Sequence, residues 1–418
     1  MNLARMLRAE RMPRPFLERL QLSKLRALVS HAFDHVPAYR ELWMASGVDP
    51  RRITQLADLA RLPIIDKDMM RNIGPDRFID ERLVGRSKLV RLQTSGSSGK
   101  PFEFFADERY NRWRKAQRLR PYVTNGVRPW DRVLVVGSLD KTPATLPNRL
   151  RLFRERRTRA GRPAAELVRI AREAHPNVLA GYPSALGLMA REWPRAADAH
   201  GPRLVFTDSE MLLPATRARI RSAFGTDPID VYGTYETDNI AFQCAIRAGL
   251  HVAMESVILE IVTDGTPAPA GEEGEVVVTV LHNRAMPFIR YNLHDLSAYS
   301  DDDVCSCGRT LPTLAGILGR QDDCLVLANG ERCSAVPLLF EFTALSAWLR
   351  EYRIVQRSPL EFDVMIRPED GATSVARRLN DIFARHVPGA QISITEHADG
   401  LPCDPSGKRR RFVSVVDR

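Results

Sequence analysis

Short apolar runs alternate with helical stretches between residues 131 and 237, and this alternation constrains the fold more than any other feature of the chain. The runs DRVLVVGSL, NVLAGYP, RLVFTDSE and PIDVYGTYET each predict a strand or a strand end. Helices are predicted between them, over Ala164–Ala174, from Ser184 through SALGLMAREW, and up to Phe224. Alternating strands and helices favour an α/β domain with substantial parallel sheet.

The flanking regions follow other patterns. The first 60 residues repeat apolar side chains at helical spacing, and a helix is predicted over Asp107–Val123. After Val252, the runs VILEIVTDG and GEVVVTVL predict antiparallel strands joined by TPAPAGEEG. The last hundred residues or so predict a small α+β domain, with helices near Leu338–Trp348 and Val375–His386. A chain of 418 residues is too long for one ordinary core, so we expect two domains.

Composition narrows the classes of function. The net charge is +10, and the arginine cluster at 149–162 fits either an anion site or a solvated face. We favour the solvated face and expect no nucleic-acid partner, because no zinc-finger or RNP pattern accompanies the charge. No apolar run is long enough for a transmembrane helix, so we expect no membrane association. The N-terminus lacks the apolar core of a signal peptide, which predicts a cytoplasmic protein.

The segment QTSGSSGKP at 93–101 has the composition of a phosphate loop but lacks the spacing of a Walker A motif. Its small residues allow successive backbone N–H groups to turn toward one anion. The alternative is a flexible Gly/Ser turn with an incidental lysine.

Four further motifs follow this loop in order: VYGTYET (231–237), FIRYNLHDL (288–296), LGRQDDCLVLANGE (318–331) and LPCDPSGKRRRF (401–412). With them the chain resembles the adenylate-forming superfamily of acyl-CoA synthetases and adenylation domains. Within that superfamily it resembles the phenylacetate–CoA ligase branch, including its shorter capsule-biosynthesis-type relatives. The resemblance implies an α/β fold with a large AMP-binding N-terminal domain of mixed sheets and helices (1–319). It also implies a small, mobile α+β C-terminal lid domain (320–418).

The resemblance implies a role for each motif. Lys408 and Glu236 would be catalytic, and Glu236 would hold Mg²⁺. Asp295 would bind the ribose hydroxyls of ATP, Tyr232 would pack near the adenine, and Asp322 would be the hinge. The implied ATP/AMP-binding set is Thr94, Ser95, Gly96, Ser97, Ser98, Gly99, Lys100, Tyr232, Gly233, Thr234, Asp295 and Arg320.

The implied reaction activates a carboxylic acid, expected to be aromatic, with ATP, releases pyrophosphate and transfers the acyl group to coenzyme A. Transfer to a carrier-protein phosphopantetheine or to an amine is the alternative, and a non-catalytic scaffold is a third reading. A homodimer is expected because dimers are common among relatives. The implied acyl pocket consists of Tyr182, Pro183, Ser184, Ser209, Glu210 and Tyr235.

The sequence departs from the family pattern at two positions. Tyr235 stands where relatives often have threonine immediately before the magnesium glutamate, and we expect it to shorten the acyl pocket. His294 stands before Asp295, where relatives often have a small or polar residue. It fits either a partly exposed loop histidine or a contact to substrate or ribose.

Three cysteines and one histidine form a candidate zinc site. Cys244 and His251 precede, and Cys305 and Cys307 follow, the predicted antiparallel strands. Three thiolates and an imidazole fit tetrahedral Zn²⁺, and four protein ligands would make the site structural. Some members of the resembled branch carry such a site at matching positions. The alternative is that these thiols are ordinary buried side chains.

Overall fold

The computed structural model describes residues 2–85, 89–93, 102–140, 152, 154–194, 201–300, 305–320, 324–369, 375–398, 400–404 and 406–416. The chain divides into two compact units. The first comprises Met1–Gly126 and Val231–Ile317, and the second comprises Val127–Asp230 and Leu318–Arg418. The boundary expected at 319/320 lies close to the last of these divisions, and the two-domain assignment stays a prediction.

The helices of the described residues are α1 (Asn2–Ala9), α2 (Arg14–His35), α3 (Pro37–Ala45), α4 (Lys67–Ile73), α5 (Glu108–Thr124), α6 (Ala164–Ala174), α7 (Pro183–Glu192), α8 (Pro214–Phe224), α9 (Val336–Ala344) and α10 (Ala376–His386). The strands are β1 (Val90–Gln93), β2 (Glu103–Ala106), β3 (Arg132–Gly137), β4 (Arg154–Arg159), β5 (Val178–Gly181), β6 (Leu204–Thr207), β7 (Ile229–Thr234), β8 (Asp238–Gln243), β9 (Leu250–Val252), β10 (Val257–Thr263), β11 (Thr266–Pro267), β12 (Gly274–Val280), β13 (Tyr291–Tyr299), β14 (Thr313–Arg320), β15 (Cys324–Val326), β16 (Arg332–Ser334), β17 (Leu349–Ser358), β18 (Glu361–Pro368), β19 (Gln391–Glu396) and β20 (Phe412–Ser414).

The first unit combines N-terminal helices with a sheet ordered β11-β10-β12-β13-β14-β9-β8-β7. Strands β10 and β12 pair antiparallel, as predicted from the sequence. Helix α2 buries Leu17, Leu25, Leu28, Val29 and Ala32 along one face, which explains the helical spacing of these side chains. It ends at His35 because Val36 precedes a proline and adopts an extended conformation.

A buried ionic network joins distant segments of the first unit. Arg120 on α5 donates to Glu10 at 2.9 Å and to Glu255 at 2.6 Å. Arg309 donates to the second oxygen of Glu10 at 2.8 Å. Buried charges require partners because they have lost their hydration. The N-terminal segment is therefore held by charges contributed from residues 120 and 309.

The second unit contains the predicted parallel sheet. Strand β3 pairs in parallel with β4 and β5, β5 with β6, and β6 with the start of β7. All four residues of β5 are buried, as expected for an interior parallel strand covered on both faces. Helices α6, α7 and α8 lie at the predicted positions. The sequence did not indicate β4, an edge strand built from the arginine-rich RERRTR.

Residues 324–416 of the second unit form the predicted small α+β region. Its sheet has the order β19-β18-β17-β20. A separate apolar cluster includes Phe342 of α9, Ile354 of β17, Phe362 of β18, Phe383 of α10 and Phe412 of β20. The chain thus has an α/β fold with a smaller α+β C-terminal region, as predicted. Among the described helices, none combines the length and the hydropathy needed to span a bilayer.

Candidate active site

The hydroxyl of Tyr232 donates a 2.8 Å hydrogen bond to Oδ2 of Asp295. Tyr232 lies on β7 and Asp295 on β13, and only 8% and 4% of their surfaces are exposed. A hydrogen bond from tyrosine satisfies one acceptor of the buried carboxylate and fixes its orientation. The structure therefore brings together the two residues that the resemblance assigns to adenine and ribose.

Gly233 makes the turn after β7 possible. The pairing of β7 with β8 shifts register between Tyr232 and Gly233. A Cβ at position 233 would lie 2.1 Å from the carbonyl oxygen of Asp238, closer than any real contact. The hydroxyl of Thr234 lies 3.1 Å from the hydroxyl of Thr237. Glycine is required here by the close approach of two backbone segments.

Glu236 is buried in the first unit, with 7% of its surface exposed. Its carboxylate lies 3.8 Å from the Nζ atom of Lys67 at the start of α4. Lys67 also lies over the ring of Phe102, 5.7 Å from its centroid. Lys67 was not predicted as a site residue, because no spacing rule connects it to a glutamate 169 positions later. Lys67 places a positive charge beside Glu236, the expected magnesium ligand.

Tyr235 remains 45% exposed, although the residues on either side are held in the turn. Its ring meets the edge of Phe104 with centroids 5.9 Å apart. The guanidinium groups of Arg114 and Arg118 lie 5.5 and 5.8 Å from the Tyr235 ring centroid. Arg114 also donates to the Tyr235 carbonyl at 2.7 Å. These contacts fix the ring that replaces the smaller threonine of the family pattern.

His294 has a left-handed backbone conformation with φ of +56°. Its Nε2 atom lies 3.5 Å from a carboxylate oxygen of Asp66, the N-cap residue of α4. A hydrogen bond from His294 lowers the pKa of Asp66. The histidine therefore has a structural partner in the first unit, and the alternative contact to substrate or ribose stays a prediction.

A second group of predicted residues lies together in the second unit. Glu210 accepts hydrogen bonds from the backbone N–H and the hydroxyl of Ser184, both at 3.0 Å. The same carboxylate accepts the backbone N–H of Arg409 at 2.9 Å. Ser209 adopts a left-handed conformation with φ of +68° beside it. A predicted acyl-pocket residue thus binds the C-terminal segment directly.

Lys408 lies beside the same group, with Nζ 5.6 Å from the centroid of the Tyr182 ring. Tyr182 precedes Pro183, the first residue of α7. Burial lowers the pKa of Lys408, and the charge of Arg320 acts in the same direction. Burial also raises the pKa of Tyr182 to about 12, so its ring remains a neutral phenol near neutral pH. The lysine charge is held near the expected acyl pocket.

The loop that carries Lys408 is shaped by Asp404. One carboxylate oxygen of Asp404 accepts the backbone N–H groups of Ser406 at 2.9 Å and Lys408 at 3.0 Å. Gly407 has φ of +84°, and a Cβ there would lie 2.9 Å from the backbone nitrogen of Gly161. The loop therefore packs closely against the backbone at Gly161.

Four potential metal ligands converge in the first unit, as the sequence predicted. The ligand atoms of Cys244, His251, Cys305 and Cys307 all lie within 4.8 Å of one another. Burial lowers the pKa of His251 to about 4, so its imidazole is neutral near neutral pH. Its Nδ1 lies 3.4 Å from the carbonyl oxygen of Leu311, and its Nε2 lies 3.4 Å from the sulfur of Cys307.

Part of the predicted site lies outside the described residues. This applies to the whole Thr94–Lys100 loop and to the hinge residue Asp322. Of the remaining nucleotide-site residues, Tyr232, Gly233, Thr234, Glu236 and Asp295 belong to the first unit. Arg320 and Lys408 belong to the second unit, as do all the predicted acyl-pocket residues except Tyr235.

Comparison with known proteins identifies homologues of this chain. Phenylacetate–coenzyme A ligase from Thermus thermophilus is 27% identical over 334 residues, covering 76% of this chain and 73% of that protein. The Escherichia coli phenylacetate–coenzyme A ligase is 29% identical over 328 residues, covering 74% and 72%. No family model matches the chain.

Solved structures show the same fold. A 2-hydroxyisobutyryl-CoA ligase in complex with 2-HIB-AMP aligns over 98% of this chain and 92% of its own, at 24% identity and a TM-score of 0.78. An open conformation of that ligase with 2-HIB-AMP and CoA aligns at 25% identity over 98% and 94%, with a TM-score of 0.66. The chain is therefore a homologue of phenylacetate–CoA ligases and has the fold of adenylate-forming CoA ligases.

Proposed function

We propose that this protein is an AMP-forming acid–CoA ligase, which activates a carboxylic acid as an acyl-adenylate and transfers the acyl group to coenzyme A. The observation that carries the proposal is the position of Lys408 beside Tyr182, on a segment bonded to Glu210. A lysine from the C-terminal region thereby lies among the side chains expected around the acid. The homologues of this chain in Thermus thermophilus and Escherichia coli are phenylacetate–coenzyme A ligases.

Asp295 is suited to hold the ribose of ATP. Its carboxylate is buried, already oriented by Tyr232, and can accept hydrogen bonds from vicinal hydroxyls. The register shift at Gly233 sets the backbone path from Tyr232 to Glu236. The nucleotide functions proposed for Tyr232, Gly233 and Thr234 thus depend on the end of β7 and its turn, and Asp295 of β13 is joined to them through Tyr232.

Lys408 is suited to the first half-reaction. A carboxylate oxygen of the acid attacks the α-phosphorus of ATP, and the bond from that phosphorus to pyrophosphate breaks. The Lys408 ammonium would stabilise the negative charge that develops on the phosphoryl oxygens. Arg320 adds positive charge near Lys408, whose pKa burial lowers. In the second half-reaction the CoA thiolate attacks the acyl carbon and AMP leaves.

The residues present fit two metal ions. Glu236 provides a buried carboxylate for Mg²⁺, the ion that neutralises charge between phosphates when ATP binds. The neighbouring ammonium group of Lys67 would complement the same phosphates. A structural zinc site would have three thiolates and one imidazole as its ligands, from Cys244, His251, Cys305 and Cys307. The carbonyl of Leu311 can hold Nδ1–H of His251, which directs Nε2 toward the thiols.

The acid is proposed to be aromatic. Tyr235, which stands in place of a smaller residue, is proposed to shorten the pocket that holds it. Tyr182, beside Lys408, offers an aromatic ring to such a substrate. The proposed location is cytoplasmic, where CoA and ATP are supplied, and a homodimer is the proposed assembly. Transfer to a carrier protein or an amine is distinguished from CoA transfer by the products.

Acid-dependent ATP–pyrophosphate exchange tests the activity. We expect exchange with at least one acid from a panel of aryl and short acyl acids, followed by CoA ester formation and AMP release. Exchange without a CoA ester would replace CoA by a carrier-protein or amine acceptor. Absence of exchange with every acid would refute adenylation and favour a scaffold.

Two matched variants test the nucleotide assignment. Asp295→Asn keeps the size of the side chain and removes the charge that orients vicinal hydroxyls, so the KM for ATP should rise about tenfold or more. Tyr232→Phe keeps the ring and removes one hydrogen bond, so a smaller rise in the same direction is expected. If neither variant alters the KM for ATP while both remain folded, the ribose assignment is wrong.

A further inference from the structure

The second unit contains a small cavity with a strong excess of positive charge. It has a volume of about 50 Å³ and lies among helices α7 and α8, strand β17 and the segment before β20. Among the described residues that line it there are seven arginines and a single carboxylate, Glu351. A volume of this size holds about three to five water molecules, or one compact polyatomic ion.

Several of these arginines are already neutralised. Arg191 is paired with Glu369 and also donates to the carbonyl of Leu349 at 3.0 Å. Arg350 pairs with Glu192 at 2.7 Å. Glu351 itself is engaged by Arg409, whose Nε lies 3.2 Å from its carboxylate. The acidic side chains around the cavity are therefore paired with arginines other than Arg219, Arg353 and Arg411.

Arg219, Arg353 and Arg411 lack this compensation. None of the three forms an ion pair with a carboxylate in the part of the chain that the structure describes. Arg411 donates to the hydroxyl of Thr216 at 3.1 Å and lies 5.5 Å from the Tyr352 ring centroid. Both of these partners are neutral, so the charge of Arg411 remains unbalanced.

Three arginine nitrogens around the cavity are buried donors. Nε of Arg353, Nη1 of Arg411 and Nε of Arg191 have almost no contact with solvent and no hydrogen-bond partner among the described residues. Such unsatisfied donors are costly, because a buried N–H that leaves water needs another acceptor. Burial lowers the pKa of Arg219, and the charge of Arg411 adds to this effect. Each of these effects would be relieved by an anion in the cavity.

We propose that the cavity bounded by Arg219, Arg353 and Arg411 binds a phosphoryl group. The three guanidinium groups come from three separate segments of the second unit: α8, β17 and the residue before β20. A tetrahedral dianion can accept hydrogen bonds on several oxygens at once, whereas a planar carboxylate serves fewer donors. The cavity is too small for an aromatic acid, although Ser184 of the expected acyl pocket also lines it.

Two sources can supply this chemistry: free phosphate or pyrophosphate, and the 3′-phosphate of coenzyme A. The second source rests on the proposed ligase function, and the first does not. A bound phosphoryl group would join the 183–219 segment to the 349–411 segment within the second unit. It would therefore stabilise the arrangement in which the Lys408 loop is bonded to Glu210.

Binding of inorganic phosphate to the full-length protein tests the proposal. Calorimetric titration and thermal unfolding are measured with phosphate against chloride at matched ionic strength. Phosphate should raise the Tm of the wild-type protein, and Arg219→Gln and Arg353→Gln should each weaken its binding about tenfold or more. Arg172→Gln is the matched control, because Arg172 is exposed on α6 of the same unit and should bind phosphate as the wild type does.

A second readout identifies the source and guards against misfolding. Without phosphate, both cavity variants should be at least as stable as the wild type, since each removes an unbalanced charge. If the 3′-phosphate of CoA is the ligand, CoA should raise the wild-type Tm more than 3′-dephospho-CoA does, and the two variants should abolish this difference. Absence of any response of the wild type to phosphate, pyrophosphate and CoA would overturn the proposal, as would an equal loss of binding in Arg172→Gln.

Discussion

Replacing Lys408 by alanine should separate catalysis from stability. The loop that carries Lys408 is fixed by main-chain groups: the N–H groups of Ser406 and Lys408 bind Asp404, and the N–H of Arg409 binds Glu210. All of these bonds survive truncation of the side chain. The substitution removes the cation–π interaction between the Lys408 ammonium and the Tyr182 ring, 5.6 Å from the centroid, which contributes about 1 kcal/mol. The free energy of unfolding should therefore fall by no more than that.

The effect on adenylation should be much larger. A positive charge placed where negative charge develops lowers the activation barrier by about 3–4 kcal/mol, which raises the rate about 10²- to 10³-fold. Acid-dependent ATP–pyrophosphate exchange should fall by this factor in Lys408→Ala. It should be unchanged in Lys115→Ala, which removes the same charge from an exposed position on α5. CoA ester formation from a synthetic acyl-adenylate should be largely retained. Exchange at the wild-type rate in Lys408→Ala would refute the role of this lysine.

Three further predictions concern the first unit. Gly233→Ala should destabilise the protein by about 2 kcal/mol or more, because the new Cβ would lie 2.1 Å from the Asp238 carbonyl oxygen. Urea unfolding measures this loss of stability, and an unchanged unfolding midpoint would contradict the geometry. Protein purified without chelator should contain about one equivalent of zinc by elemental analysis, and Cys307→Ser should lose most of it; less than roughly a tenth of an equivalent in the wild type would exclude the zinc site. Burial lowers the pKa of His282 to about 3, whereas the same histidine in the unfolded chain has its ordinary pKa near 6.5. As the pH falls, the unfolded chain is therefore protonated at this histidine before the folded chain is. The free energy of unfolding should fall by up to about 1.4 kcal/mol per pH unit between about pH 6.5 and pH 3. His282→Gln should flatten this dependence in urea titrations at several pH values, and an unchanged slope would assign the acid sensitivity to other groups.

The elements that the sequence predicted are those whose signals are local. Helix α6 runs over Ala164–Ala174, the predicted range, because its apolar side chains repeat at helical spacing and a proline precedes it. Helix α5 begins after Asp107, whose side chain accepts the backbone N–H of Tyr110 at 2.6 Å. That helix also tolerates Pro121 within its sequence, close to its C-terminal end. Strand β5 was predictable because a short apolar run that ends before a proline is typical of a buried strand.

Strand β4 shows where local signals fail. Its sequence RERRTR has no apolar alternation, and only Thr158 is buried. It becomes a strand because β3 offers a free edge along its whole length, with pairs from Arg132–Arg154 to Gly137–Arg159. Tertiary pairing thus overrides local propensity. The described arginines of β4 are mostly exposed, and they lie on the edge of a sheet.

The candidate site divides in the same way. The four candidate metal ligands were proposed from residue type, from their position on either side of the antiparallel strands and from the family resemblance. Their meeting depends on register: β8 pairs with β9 next to Cys244, and β14 pairs with β9 at His251. The proximity of Lys67 to Glu236 and the excess charge around Arg219, Arg353 and Arg411 arise from contacts between segments far apart in sequence. No spacing rule predicts such contacts.

The ionic network around Glu10 has a consequence for the order in which the protein can mature on the ribosome. Both cationic partners of Glu10 lie far downstream, and Arg309 is the later of the two. The N-terminal segment therefore leaves the ribosome long before its last counter-charge has been synthesised. Arg309 comes two residues after Cys307, so the charge that completes this anchor arrives together with the last candidate metal ligand. Attachment of the first helix and closure of the thiol cluster thus become available at the same moment of synthesis.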